Sequence, residues 1–302
     1  DSKGESTYNP QLPDVVQELV DGGVAVESDG ALCVFTDGVT GPGGDRVPLI
    51  IRKRDGGYGY ATTDLATIRH RAQDLKADQI LYVVDARQAL HFRMVFDTAR
   101  RAGWLPEGAR ARHVAFGTVL GPDGKPFKTR SGGTVRLGDL LDAAVAKARA
   151  AVAEKNPDMP AAQLDEIAER AGIAAVKYAD LSTSRTKDYS FDVDRMVSLT
   201  GDTGVYLQYA HTRLKAILRK ADTAPNPSTV DATLPLHPAE RALALHLDGY
   251  AATLAETAEL LEPHRLARLP LQPCENLHRL LRHLPRADSR HPRPAKQPPG
   301  PG

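Results

Sequence analysis

Cysteine is nearly absent from this 302-residue chain, occurring only as Cys33 and Cys274. Two thiols so far apart make neither a C-x-x-C redox pair nor a metal cage, so disulfide and metal chemistry drop out of the candidate functions. Long apolar runs are missing too. No stretch approaches the roughly 18 residues needed to span a bilayer, and the start at Asp1 has neither a basic n-region nor an apolar h-region. A cytoplasmic location away from membranes is the expectation. The absence of an initiator Met points to a chain that begins inside a longer protein. An excess of one charge is also lacking, with 39 Lys plus Arg against 38 Asp plus Glu, a net of +1. That average hides an asymmetry: Arg268, Arg279, Arg282, Arg286, Arg290, Arg293 and Lys296 stand against only Glu275 and Asp288. The tail from Ala267 therefore carries +5 and the preceding body −4.

What is present suits packed domains. Apolar residues make up 41% and charged residues 25%, close to the globular average, and 302 residues exceed what one compact core usually supports. Two domains are expected. In the first half, Leu12 to Leu19 has helical periodicity, while Ala31 to Phe35 and Val47 to Arg54 read as strands. A helix is predicted from about Thr63 to Leu75, with Asp64 early in it, where a carboxylate suits the helix dipole. Gln79 to Asp85 has the unbroken apolar character of a parallel strand buried on both faces. A helix at Ala89 to Ala102 and a strand at Ala111 to Val119 complete an alternation typical of a doubly wound sheet. The second half is helical, with periodic segments at Leu137 to Ala153, Ala161 to Leu181, Thr203 to Ala221 and Pro238 to Leu261. Eight of the 22 prolines fall in the last 33 residues, so disorder is expected there.

Four segments carry possible chemistry. Gly121 to Gly133 is a glycine-rich loop holding Lys125, Lys128 and Arg130, cations that can offset charge on a polyphosphate. Its spacing is not that of a Walker A loop, and a solvated basic hairpin explains the same residues. Tyr58 to Asp64 lies at a strand-to-helix junction, where open α/β sheets bind ligands. Tyr60 offers a stacking face and Asp64 a carboxylate for a cationic substrate, although a helix cap beside a core tyrosine accounts for both. Asp85 to Phe92 repeats that geometry. Gln88 there could hydrogen-bond an amino group and His91 a base or phosphate, the alternative for His91 being a buried, satisfied imidazole. Tyr206 to Arg213 opens a helix with groups that pair with unstacked RNA bases, yet Leu207 and Ala210 also look like core contacts, so only part of it need face outward.

In order and spacing, Gly4-Glu5-Ser6 with Tyr8-Asn9, then Tyr60-Ala61-Thr62-Thr63-Asp64, then Tyr82 to Gln88, the Lys125 to Gly133 loop and Tyr206 to Arg213 resemble the class I arginine–tRNA ligases. The resemblance covers about Glu5 to Leu266. It implies an α/β fold, the C-terminal half of a class I Rossmann-type catalytic domain, followed by an all-α anticodon-binding helical domain. Residues 1–136 would be a partial Rossmann domain, 137–200 a helical connecting region, 201–266 a partial anticodon-binding domain and 267–302 a disordered basic tail. Glu5, Tyr60, Asp64 and Gln88 match arginine-pocket positions, which is chemically sensible because the planar guanidinium fork pairs well with carboxylates. The Lys125 to Arg130 loop resembles a degenerate KMSKS loop, which makes Lys128 and then Lys125 the expected phosphate contacts in catalysis. ATP binding by His91, His113, Val114, Phe116, Gly117 and Lys128 is implied as well, with Mg2+ accompanying the nucleotide. Tyr206, Gln208, Tyr209, His211 and Arg213 match the start of the tRNA-binding bundle. The implied partners are tRNA-Arg, L-arginine and ATP.

The chain also departs from that family. Its ten histidines include no H-x-G-H signature, so a C-terminal fragment is expected, inactive when isolated, with sheet edges and apolar surface that an absent N-terminal half would cover. A non-catalytic tRNA-binding remnant or accessory protein is the alternative. Past Leu266 the amphipathic order ends, which a shifted reading frame would explain, as would a basic RNA-binding arm.

Overall fold

The computed structural model describes residues 2–121, 123–126, 135–220, 226, 228, 233 and 235–270. These divide into two compact units, the first drawn from Asp1–Pro126 and Arg185–Ser190, the second from Phe127–Ser184 and Phe191–Gly302.

The first unit opens with a 3-10 turn, Glu5–Gln11, that leads into α1 (Leu12–Asp21). Leu12, Val15, Val16 and Leu19 recur at helical spacing and are all buried, which explains why this segment is a helix and which face it hides. Three strands follow, β1 (Val26–Ser28), β2 (Ala31–Thr40) and β3 (Arg46–Arg52). They form an antiparallel meander in the order β1-β2-β3. Here the structure corrects the sequence-based reading, which counted Val47 to Arg54 as the first strand of the doubly wound alternation. Short polar connections of a few residues permit hairpins, whereas a parallel neighbour needs a crossover of a dozen or more. Next come α2 (Tyr60–Arg69), a π-helical turn at His70–Asp74, and β4 (Gln79–Asp85). A second 3-10 turn, Ala86–Gln88, leads to α3 (Ala89–Arg101) and then β5 (Arg110–Phe116).

β4 and β5 pair in parallel, from Gln79 with Arg110 to Asp85 with Phe116, with α3 as the crossover. The expected burial of β4 on both faces is not observed. Ile80 and Tyr82 are buried, while Leu81 and Val83 on the other face are 40% and 62% exposed. Their apolar character belongs to a doubly covered strand, and none of the described elements covers that face. A short pair, β6 (Val119–Leu120) with β7 (Tyr189–Ser190), closes the unit. Thus 185–190 returns to the first unit from within the stretch read as a helical connection. It does so by close backbone approach: the Gly117 amide donates to the Arg185 carbonyl at 2.7 Å, and a Cβ on Gly117 would sit 2.6 Å from the Lys187 carbonyl.

Trp104, the only tryptophan, lies in this core at 1% exposure. Its indole N–H donates to Glu18 Oε1 at 2.5 Å, and Glu18 Oε2 accepts from Arg69 Nη1 at 2.7 Å. One carboxylate thereby joins α1, α2 and the segment after α3.

The second unit is helical, with α4 (Leu137–Lys155), α5 (Ala161–Ser182), α6 (Val193–Met196), α7 (Gly204–Lys220), α8 (Pro238–Asp248), α9 (Tyr250–Leu260) and α10 (Pro263–Arg268). Ala144 and Ala148 of α4 and Ala168, Ala171 and Ala175 of α5 are buried small residues that let the two backbones approach closely. Gly172 marks the tightest point, where a Cβ would lie 2.6 Å from the Val145 backbone. The single helix expected from Pro238 to Leu261 is two, divided at Gly249, because glycine weakens a helix interior. Among the described residues no helix is long and apolar enough to cross a membrane.

Trp104→Ala should destabilise the first unit by about 3–5 kcal/mol, the usual cost of deleting a large buried aromatic. Urea unfolding followed by far-UV circular dichroism tests this, and an unshifted midpoint would contradict the anchoring role.

Candidate functional site

The functional geometry begins with the two faces of α2. Ala61, Thr62, Leu65, Ala66 and Ile68 are buried, and the buried Thr62 hydroxyl donates to the Ile51 carbonyl of β3 at 2.5 Å. With that side fixed in the core, Tyr60, Asp64, Thr67 and, in the π-helical turn, Arg71 fall on the other side and line a cavity of about 630 Å³. Helical spacing, i, i+4, i+7 and i+11, was the signal that could have found Thr67 and Arg71 in the sequence. Lys3 and Glu5 close the cavity from the N-terminal segment, as do Arg87 and Gln88 from the turn after β4. Tyr8, Tyr82, Val84 and Phe92 supply its apolar wall.

Glu5, Tyr60, Asp64 and Gln88, the four assigned to one pocket, all line this single cavity although they come from three separate segments. Tyr60 is 72% exposed and cannot be the core tyrosine of the alternative reading. Asp64 is not a helix cap either: α2 starts at Tyr60, Gly59 is its N-cap residue, no side chain caps it, and its first turn has no acidic residue. Instead, Asp64 Oδ2 lies 2.7 Å from His91 Nε2. His91 therefore belongs to this cavity, with its ring 4.9 Å from that of Tyr60 and 4.9 Å from that of Phe92.

The other residues expected to bind ATP lie elsewhere in the unit, since His113, Val114, Phe116 and Gly117 do not line this cavity. His113 stacks on Phe92 at 5.5 Å, and its buried Nε2 has no hydrogen-bond partner among the described residues. Val114 is buried, Phe116 is exposed, and the Gly117 amide is engaged by Arg185. Lys125 is exposed in a tight hairpin, in which its carbonyl accepts from Gly121 N–H at 2.7 Å and its own amide donates to Asp123 Oδ1 at 3.1 Å. Lys128 and Arg130 lie outside the described residues, as does the tail from 271 onward. On α7, Gln208, Tyr209, His211 and Arg213 are exposed, Tyr206 and Leu207 are half-buried and Ala210 is buried, so this helix is divided between packing and open surface.

Electrostatically the cavity is mixed, with Glu5 and Asp64 set against Lys3, Arg71 and Arg87. The Lys3 ammonium lies 2.8 Å from His70 Nε2, and His70 Nδ1 lies 2.5 Å from Asp74 Oδ2, which ties the N-terminal segment to the π-helical turn. Burial pushes the Tyr82 hydroxyl up to about 12, against the pull of Arg71, whose guanidinium lies 5.1 Å over the ring. Asp85 is held down at about 2, chiefly by the Arg87 guanidinium, whose Nε and Nη2 donate to its two oxygens at 2.8 and 2.9 Å. That fork fixes Arg87 at the rim. Among the described residues no group of three or more His, Cys, Asp or Glu is arranged to hold a metal ion.

Known proteins resemble this chain in sequence and fold. Residues 1–193 match the model of the class I (R) tRNA synthetase catalytic domain, and residues 207–291 match the DALR anticodon-binding domain. The chain belongs to the class I (R) tRNA synthetases. As a member of that family it is 65% identical over 282 residues to the arginine–tRNA ligase of Frankia casuarinae, covering 93% of this chain and 46% of that one. It is 57% identical to the Streptomyces avermitilis arginine–tRNA ligase over 88% of this chain and 45% of that one. Among solved structures, Thermus thermophilus arginyl-tRNA synthetase superposes with a TM-score of 0.76 at 27% identity, over 92% of this chain and 51% of that one. The Plasmodium falciparum arginyl-tRNA synthetase does so with a TM-score of 0.79 at 26% identity, over 93% and 47%. The chain spans about half the length of the curated relatives it matches. The DALR match runs to residue 291, past Leu266, where the sequence reading ends the resemblance.

Because Asp85 has a depressed folded-state value, its pairing with Arg87 is complete above the ordinary carboxylate value of 3.8 and is lost as pH falls through about 2. Arg87→Gln should move the Asp85 midpoint up towards 3.8, as read by carboxyl-carbon NMR titration. A midpoint that stays near 2 would show that Arg87 is not the cause.

Proposed function

We propose that this chain is the arginine-gripping and tRNA-docking part of an arginine–tRNA ligase, and that the cavity is its L-arginine pocket. The observation that supports this most is the convergence of Glu5, Tyr60, Asp64 and Gln88 on one hollow. A guanidinium has five N–H donors in a planar fork and no acceptor, so carboxylates are its natural partners, and a lysine ammonium satisfies them less specifically. Glu5 and Asp64 supply that charge, Gln88 hydrogen-bonds the substrate's α-amino group, and Tyr60 shapes the pocket.

In the reaction proposed, the arginine carboxylate attacks the α-phosphate of ATP and pyrophosphate leaves. The arginyl group then passes to the terminal ribose of tRNA-Arg. Lys128 and Lys125 stabilise charge on the departing pyrophosphate, and Mg2+ enters with the nucleotide as part of the substrate. His113, Val114, Phe116 and Gly117 are proposed to bound the nucleotide, while Tyr206, Gln208, Tyr209, His211 and Arg213 contact tRNA. Activity in the cytoplasm belongs to the same proposal.

Asp64→Asn keeps the shape and removes the charge, so it should weaken L-arginine binding by about 10- to 100-fold, the range for a hydrogen bond to a charged group. Isothermal titration calorimetry on the full 302-residue chain measures this, and an unchanged affinity would sink the pocket assignment. L-arginine binding separates the two readings of the chain. ATP–pyrophosphate exchange with arginine and tRNA present tests the fragment reading: none is expected from the chain alone, and turnover by it would contradict that reading. Salt-sensitive tRNA binding without arginine binding would favour the non-catalytic tRNA-binding remnant.

A further inference from the structure

Among the described residues, His91 is the one side chain of the cavity wall bonded directly to a carboxylate that lines it. It projects from α3, Asp64 projects from α2, and their side chains are only 13% and 20% exposed at a separation of 2.7 Å. The imidazole is itself clamped, since its ring lies 4.9 Å from Tyr60 on the open side and meets Phe92 edge-on at 75° on the core side. Phe92 is buried and packs on Tyr82 and His113, so the clamp is continuous with the parallel sheet. A carboxylate on an exposed helix face would sample several rotamers. Here one of its oxygens is held by a ring that cannot turn.

We infer that His91 is a positioning residue of the cation pocket: its Nε2–H engages Asp64 Oδ2, fixing the carboxylate plane so that Oδ1 remains directed to the substrate's cation. This rests on the reading of the cavity as an arginine pocket, and it moves His91 from the nucleotide to the amino acid. One consequence concerns geometry. With Oδ2 engaged, Asp64 takes a guanidinium through a single oxygen, which leaves the two-pronged contact to Glu5, for which no ion pair is found among the described residues. The fixed carboxylate also lowers the rotamer entropy lost when the substrate is gripped, the general advantage of a preorganised site.

Three full-length chains test this: the parent, His91→Phe, which keeps a ring between Tyr60 and Phe92 without the donor, and His91→Gln, whose amide nitrogen reaches about where Nε2 stood. The first readout needs no ligand. A carboxylate that loses its partner samples more side-chain rotamers. Asp64 χ1, followed by three-bond NMR couplings, should therefore be a single rotamer in the parent, partly averaged in His91→Gln and most averaged in His91→Phe. Lys3, Glu5, Arg71, Tyr82 and Arg87 surround the cavity identically in all three chains, so the differences isolate His91. The second readout is calorimetric. L-arginine should bind about 10- to 100-fold more weakly to His91→Phe. His91→Gln should recover most of that loss, and ATP affinity should not move. A single Asp64 rotamer retained in His91→Phe overturns the inference. So does a His91→Gln chain indistinguishable from His91→Phe, because the donor would then not be what holds the carboxylate, and so does a loss of ATP affinity with arginine binding intact. Should the parent bind no arginine, the arginine reading falls, and the ligand-free rotamer measurement alone decides whether His91 holds Asp64.

Discussion

Because α2 buries its side towards β3 and α3, its remaining face has no freedom to rotate. Leu65, Ala66 and Ile68 are without measurable exposure, and the Thr62 hydroxyl bonded to the Ile51 carbonyl fixes the helix start against β3. Turning the helix by one residue would move apolar side chains into water at about 1.5–3 kcal/mol each and leave that hydroxyl unpaired. Every polar group that faces the cavity from α2 inherits its direction from this packing. The hydrogen bond from His91 then sets the carboxylate within the direction already fixed.

The same logic extends to the rest of the first unit. Glu18 bridges Trp104 and Arg69, and so joins α1 to α2 on the side away from the cavity. Lys3, His70 and Asp74 join the N-terminal segment to the π-helical turn on the near side. A π-helical turn inserts an extra residue into the helical repeat, and such turns are frequent at functional sites. This one places Arg71 over the Tyr82 ring while that residue still lines the hollow. The cavity is thus walled by elements tied separately to one core. The apolar face of β4 that carries Leu81 and Val83 remains without cover among the described elements.

Much of the fold was legible in the residue pattern. Leu12 to Leu19 and Ala161 to Leu181 have the helical period and formed helices, and the unbroken apolar run Gln79 to Asp85 formed a parallel strand. Errors arose where two arrangements share a period. Val47 to Arg54 is a strand in a meander as readily as in a parallel sheet, because alternation reports extension and not the partner. Asp64 read as a helix cap because a carboxylate suits a helix N-terminus, and only the observed start at Tyr60 separates cap from pocket wall. Strand β7 could not be foreseen, because a two-residue strand depends wholly on where the chain returns.

The order of motifs identified the family, and local spacing determined the helices, because both properties reside in neighbouring residues and survive without a partner. Tertiary structure decided that Glu5, Asp64, Gln88 and His91 meet around one hollow. It also decided that His91 serves a carboxylate and that Leu81 and Val83 face outward. These are contacts between residues far apart in the chain or between elements with several possible neighbours, and only the packing of the first unit's core selects among them.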